Sequence, residues 1–317
     1  SAFSQKLQAQ ENFEVRQVNF KGNQTLEKDF LLERMALREV GWLEKTATKT
    51  EPFLYNEELV TLDIERLTRI YQSEGFLKAE VSLQPLKINE KKEIVKLTFK
   101  IDEGAPVKID SLTFEIQQEK VSFDFDSLKN RLLRNLELIK DKRFRDEDIT
   151  TDMQTINDAF RNLGYAYSTT DYSLSLDIEK MTTAIHYTII PGPKSKVGGT
   201  TISGNKHVSD EFIRKQLQYE EGDLYNKSLL NETRRNLYRL QLFRVVSVLP
   251  DKNRETLKSP IPVTIYIEEA PRLSTRFGAG YGTEDKFRAF LDLNYRGFLS
   301  GARRINLYVK HSALEPY

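Results

Sequence analysis

The sequence predicts an α+β chain: three tandem βααββ units followed by a run of antiparallel strands. Three observations predict it: a glycine-flanked helix end that recurs along the chain, alternating strand pairs after each long helix, and a Gly-Asn turn that repeats at twice the unit length. The helix ends are Tyr71-Gln-Ser-Glu-Gly75-Phe76 and Phe160-Arg-Asn-Leu-Gly164-Tyr165, with Leu237-Tyr-Arg-Leu240-Gln241-Leu242-Phe243 as a third copy without the glycine. The turns are Gly22-Asn23 and Gly204-Asn205, 182 residues apart, or two periods of 91. Self-similarity at a fixed period sets domain boundaries before any other signal does.

Each unit opens with a short strand. Val18-Asn-Phe20-Lys-Gly22-Asn23 begins the first and Thr201-Ile202-Ser-Gly204-Asn205 the third, where glycine and asparagine tolerate the positive φ of a turn. In the middle unit the strand Val107 to Ile116 runs into Gln117-Gln118, so that copy has diverged. A long amphipathic helix follows. Leu59, Leu62, Leu67, Ile70 and Tyr71 share a face in the first unit, with Asn56 as N-cap and Gly75 at the left-handed C′ position. Ile149, Met153, Ile156, Phe160 and Leu163 do so in the second after Asp146 as cap, and Leu230, Leu237 and Leu240 in the third after Asn226. A strand pair closes each unit. Leu77, Ala79, Val81 and Leu83 alternate with polar residues, as do Val95, Leu97, Phe99 and Ile101; Tyr165–Leu176 pairs with Thr183–Ile190, and Phe243–Leu249 with Pro262–Glu268. Two helices cover one face of such a sheet.

Composition excludes several function classes. The 317 residues hold 48 basic and 47 acidic side chains and no cysteine, which argues against a dedicated nucleic-acid binder and removes disulfides, thiolate metal sites and cysteine nucleophiles. No run reaches the apolar length of a membrane helix, a test that strands escape. Residues 1–11 read as an N-terminal tail in which Leu7-Gln8-Ala9 is either a cleavage-site remnant or part of a flexible end.

The βααββ order, the aromatic-x-x-x-Gly-aromatic helix end and the exit Asp102-Glu103-Gly104-Ala105-Pro106 resemble the polypeptide-transport-associated (POTRA) domain. Three in tandem resemble the periplasmic arm of outer-membrane barrel assembly and translocation proteins, the bacterial surface antigen superfamily that includes TamA and BamA; a count of three sits closer to the former. The units run 12–105, 106–193 and 194–271, joined by short segments such as Pro191-Gly192-Pro193 and Glu269-Ala270-Pro271. In residues 272–317, Arg272–Gly282, Phe287–Phe298 and Arg304–Lys310 alternate faces over the length of a barrel strand. They read as the first strands of a transmembrane barrel or as a soluble hairpin. Three strands cannot close a barrel, so the chain to Tyr317 reads as a fragment on the first view.

No catalytic, cofactor or metal site is legible. His186, His207 and His311 lack a second ligand at metal spacing, and Gly199-Thr-Thr-Ile-Ser-Gly204-Asn205-Lys206 misses the phosphate-loop pattern because asparagine intervenes before the lysine. Glu57-Glu58, Asp146 with Asp148, and Glu268-Glu269 fall at helix starts or strand ends, where the helix dipole explains the helical ones. The expected chemistry is backbone pairing, which needs no cofactor. The resemblance implies that the strand after each long helix is an open edge able to take an extended client as an added strand. That edge maps to Leu77, Lys78, Ala79, Glu80 and Val81, to Tyr165, Tyr167 and Tyr172, and to Phe243, Arg244, Val245 and Val246. The tyrosines serve either client side chains or packing; Lys78 and Glu80 serve either binding or protection of the edge from aggregation. The implied partners are unfolded outer-membrane protein clients, periplasmic, lipoprotein or inner-membrane accessory subunits, and the outer membrane of a Gram-negative bacterium. A soluble POTRA scaffold and a secretion protein for one dedicated partner are the alternatives.

Overall fold

A computed structural model describes residues 13–40, 51–117, 123–253, 256–282, 286–298 and 303–312. The N-terminal tail and Gln118 lie outside them. The chain divides into two compact units, one of residues 1–115, 124–155 and 171–188, the other of residues 116–123, 156–170 and 189–317.

In the first repeat, β1 (Glu14–Lys21), α1 (Lys28–Leu32) and α2 (Glu57–Ser73) precede β2 (Glu80–Leu83), β3 (Lys87–Asn89) and β4 (Ile94–Asp102). β4 is central: β1 joins it in parallel, and β2 and β3 in antiparallel fashion. The second repeat has β5 (Lys108–Ile116), α3 (Phe125–Leu132), α4 (Asp146–Arg161), β6 (Thr169–Asp177) and β7 (Thr182–Ile190), in sheet order β5-β7-β6. The third has β8 (Val197–Ser203), α5 (Asp210–Arg214), α6 (Lys227–Arg239), β9 (Phe243–Pro250) and β10 (Ile261–Glu269), in order β8-β10-β9. β11 (Leu273–Gly282), β12 (Lys286–Phe298) and β13 (Arg303–Ser312) form a separate antiparallel sheet.

The local signals act as their chemistry requires. Asn56 accepts from the Leu59 amide and Asn226 from those of Ser228 and Leu229, each filling an orphan donor at a helix start. Asp146 is not a cap: it is the first helical residue, where its charge favours the dipole from inside the first turn. Gly75 and Gly164 end their helices at φ +88° and +98°, and Gln241 takes the same left-handed position in the third repeat at φ +56°. The Gly-Asn turns have a packing reason as well. A Cβ on Gly22 would sit 2.1 Å from the Ile101 carbonyl oxygen, and one on Gly204 2.0 Å from that of Ile267.

The expected helix faces need one correction. Leu62 is exposed, and the neighbouring Asp63 is buried in its place. Its carboxylate accepts the amides of Ala36 and Leu37 at 2.7 and 2.9 Å, tying α2 to the segment that leaves α1. Asp152 does the same for Glu137 and Leu138, and Thr233 for Gln218. All three stand on the seventh residue of the long helix. A buried polar group is tolerated when its hydrogen bonds are made, and losing it strands the amides it served.

Candidate functional site

In each repeat the central strand bonds on both sides, whereas β2, β6 and β9 bond only inward, to β4, β7 and β10. They are edge strands. The opposite edges are partly closed by the segment before each long helix. Val15 N–H donates to Phe53 O, Ile109 N–H to Lys142 O and Val197 N–H to Asp223 O, at 2.8–2.9 Å.

The three edges differ. Only Glu80 and Val81 of the first predicted set lie in β2; Leu77 and Lys78 precede it and Ala79 is buried. That edge is four residues long. In the second repeat Tyr165 and Tyr167 fall before β6 and are buried. Tyr165 meets Phe160 and Phe123 edge-on, and Tyr167 packs into the core of the third repeat with its hydroxyl donating to Lys258 O at 2.7 Å. Tyr172 lies on the strand and shares a face with Leu174 and Leu176; the three are 47, 43 and 43% exposed. On β9, Phe243 and Val246 are buried, Val245 is half-buried and Arg244 pairs with Glu268. The Tyr238 hydroxyl accepts the Val246 amide at 3.2 Å, so part of this edge is already capped. β6 therefore offers the longest apolar edge of the three.

β11–β13 present a different surface. The register sets Leu273, Phe277 and Tyr281 opposite Tyr295, Leu291 and Phe287, and sets Leu291, Leu293 and Tyr295 opposite Val309, Leu307 and Ile305. One face is thus apolar throughout, and no described element covers it: Phe277 and Tyr281 are 81 and 78% exposed. The other face carries Arg276, Gly278, Gly280, Arg288, Asp292, Asn294, Arg296, Arg304 and Lys310, with Asp292 buried against Arg276 Nε at 3.2 Å. A continuous apolar patch of this kind marks a site of contact with protein or lipid. The third repeat is tied to this sheet by Ala270 N–H to Leu242 O, by Arg272 to Gly297 O at 2.9 Å and by Arg304 to Gln241.

The carboxylates flagged in the sequence hold structure. Glu57 and Glu58 occupy the first turn of α2. Glu269 accepts the amides of Lys206, His207 and Val208 and meets His207 Nδ1 at 2.8 Å. Burial alone would raise its carboxyl, but these donors outweigh it and hold it at about 2. Glu103 serves Thr25 in the same way at the first Gly-Asn turn. In the middle repeat, where that turn is lost, Pro191 stands before the exit glycine in the carboxylate's place. Sequence reading missed these acids and the helix staples. The signal was present: an Asp, Asp or Thr inside an otherwise apolar stripe at matching positions of three repeats. His186 contacts Thr113 and Glu115 on an exposed surface.

This geometry defines a class: tandem βααββ modules with open edges, leading into a sheet with one wholly apolar face. The sequence pattern described as POTRA, surface antigen variable number repeat, matches residues 13–104, 120–192 and 195–270. The chain belongs to the POTRA-repeat family, among relatives that are outer-membrane protein assembly factors. It is 25% identical over 232 residues to the outer membrane protein assembly factor BamA of Neisseria meningitidis, covering 72% of this chain and 28% of that protein. It is 21% identical over 302 residues to a putative outer membrane protein assembly factor of Treponema pallidum, covering 92% of this chain and 34% of the relative. The chain thus spans about a third of the length of these relatives. Among solved structures, POTRA domains 3–5 of Haemophilus influenzae BamA match at a TM-score of 0.53 with 22% identity, covering 81% of this chain and 96% of that one. BamA of Haemophilus ducreyi lacking POTRA domains 1–3 matches at 0.51 with 19% identity, covering 65% and 37%. Both establish the fold.

Proposed function

We propose that this chain is the POTRA arm and first barrel strands of a BamA-like or TamA-like outer-membrane protein assembly factor. On this reading residues 12–105, 106–193 and 194–271 are periplasmic modules, and residues 272–317 begin the barrel in the outer membrane. The observation that carries it is the apolar face of β11–β13, tied directly to the third repeat. Alternation of an apolar outer face with a polar inner one is what a strand needs between lipid and lumen. Unfolded clients add as strands to the edges of β2, β6 and β9, with Tyr172, Leu174 and Leu176 giving β6 the largest apolar contact. Because backbone pairing is indifferent to most side chains, one arm serves many clients, and accessory subunits can use the edges that clients leave free.

The test is a gel of membrane fractions from the native organism, probed with an antibody against residues 12–270, unheated and boiled. An outer-membrane band whose migration shifts on heating is expected. A soluble band without a shift would replace this reading with the POTRA scaffold, and a shifting band whose loss blocks export of one protein alone would replace it with dedicated secretion.

A further inference from the structure

The three repeats can be superposed on their strand-edge bridges, Glu14 with Leu54, Lys108 with Arg143 and Lys196 with Leu224. Counting four residues on from each bridge brings Val18, Leu112 and Thr200 to the same point of β1, β5 and β8. The outward backbone groups there have different fates. In the first repeat the Val18 amide donates to Glu39 Oε2 at 3.1 Å, and Lys28 holds the other carboxylate oxygen at 2.9 Å. In the third, Arg214 donates to the Thr200 carbonyl at 2.9 Å. Both slots are closed by the repeat's own side chains.

In the second repeat the slot is open. Leu37 and Leu138 are equivalent through their bonds to Asp63 and Asp152, so Lys140 stands where the first repeat has Glu39. An ammonium group has no lone pair for an amide. Among the described residues nothing caps Leu112. The outer side of β5 is paired only at its start, where Ile109 N–H donates to Lys142 O and Asp141 N–H to Ile109 O. Beside it lies a groove of about 360 Å³ lined by Ser111, Leu112, Leu133, Leu138, Ile139 and Lys140, with Leu133 and Ile139 exposed.

We propose that this groove is a second polypeptide-binding site, on the edge opposite β6, for an extended segment that carries an Asp or Glu between apolar residues. The first repeat shows the occupied form: a carboxylate set between a strand amide and a lysine. In the second repeat the amide of Leu112 and the ammonium of Lys140 border the groove and the carboxylate is missing, so the partner supplies it. Its flanking apolar side chains cover Leu133 and Ile139. A backbone edge alone would accept any extended chain; the lysine selects an acidic one. The site lies within one repeat and does not depend on the barrel reading.

The test uses the full ¹⁵N-labelled chain in detergent and a blocked five-residue peptide, Thr-Val-Glu-Val-Thr, with a Thr-Val-Gln-Val-Thr control. We expect the Glu peptide to shift the Ser111, Leu112 and Ile139 amides and to bind at least about tenfold more tightly than the Gln peptide. Lys140→Glu, which rebuilds the first repeat's arrangement, abolishes binding, and Lys140→Met reduces it to the level of the Gln control; Lys140 is exposed and both variants fold. Equal binding of the two peptides, unchanged binding to Lys140→Glu, shifts confined to β6, or no shifts at millimolar peptide would each overturn the proposal.

Discussion

At the scale of single residues, the fold rests on polar groups that fix backbone turns. Gly22→Ala would place a methyl 2.1 Å from the Ile101 carbonyl oxygen in a left-handed conformation. We expect a loss of about 2–4 kcal/mol, measured by urea unfolding, with Gly204→Ala behaving alike. Glu269 predicts a pH dependence. Its folded-state pKa, about 2, lies below its ordinary 4.5. The stability it contributes is therefore complete above pH 4.5 and is lost as pH falls toward 2. Glu269→Gln should cost on the order of 2–3 kcal/mol at pH 7, and the gap from the parent protein should close by about pH 2 in denaturant titrations. A gap that persists at pH 2 would mean the carboxylate charge is not what holds the turn. The same Glu-to-turn arrangement at Glu103 and Thr25 shows why the middle repeat lost both partners together: the carboxylate has no role without the amides it collects.

At the scale of elements, the long helices and the edge strands carry opposite demands. Each helix must hold its sheet, and the buried Asp63, Asp152 and Thr233 do this by tying it to the segment that leaves the preceding short helix. Asp152→Leu would strand the Glu137 and Leu138 amides and the Tyr187 hydroxyl, for an expected loss of about 2–4 kcal/mol by thermal or urea unfolding. The edge of β6 is different, because its apolar side chains are exposed. Leu174→Asp should leave stability within about 0.5 kcal/mol while it weakens capture of an alternating apolar peptide, read by fluorescence anisotropy. Unchanged capture would move client binding away from this strand. Edge placement was legible in the order of elements, since the strand after the long helix had only one neighbour available. Which tyrosines lie on the edge was not: Tyr165 and Tyr167 alternate with small residues as Tyr172 does, and only the turn before β6 turns them into neighbouring cores.

At the scale of the whole chain, the repeats recur with their joints. The Val107 amide bonds to Gly75 O at 2.8 Å, and the Ser195 amide to Gly164 O at 2.9 Å. In each case the strand that opens a repeat is anchored on the helix-ending glycine of the repeat before it. Glu74 with Arg143 and Arg145 reinforces the first joint, and Asp158 with Lys227 the second. The final sheet makes the boldest demand on its surroundings. Leu291→Arg and Leu307→Arg lie on its apolar face. In a bilayer a charge there costs about 2–4 kcal/mol at mid-depth, so we expect either change to reduce association of the chain with phospholipid vesicles in flotation assays. Arg288→Ala, on the polar face, serves as the control and should leave flotation unchanged.

The sequence by itself determined the repeat, the α+β class, the helix caps at Asn56 and Asn226, the glycines that end two of the helices and the two-faced alternation of residues 273–312. These are local: each depends on side-chain period or on the φ that a single residue can adopt. The tertiary structure decided what depends on partners distant in sequence. It buried Asp63 where Leu62 was expected, because the amides of Ala36 and Leu37 needed an acceptor there. It made Glu103 and Glu269 turn-holding groups some 60 to 80 residues from the amides they bind. It also closed the outer edges of β1 and β8 with Glu39 and Arg214 and left that of β5 open beside Lys140, a difference set by which side chain reaches a backbone group across the fold.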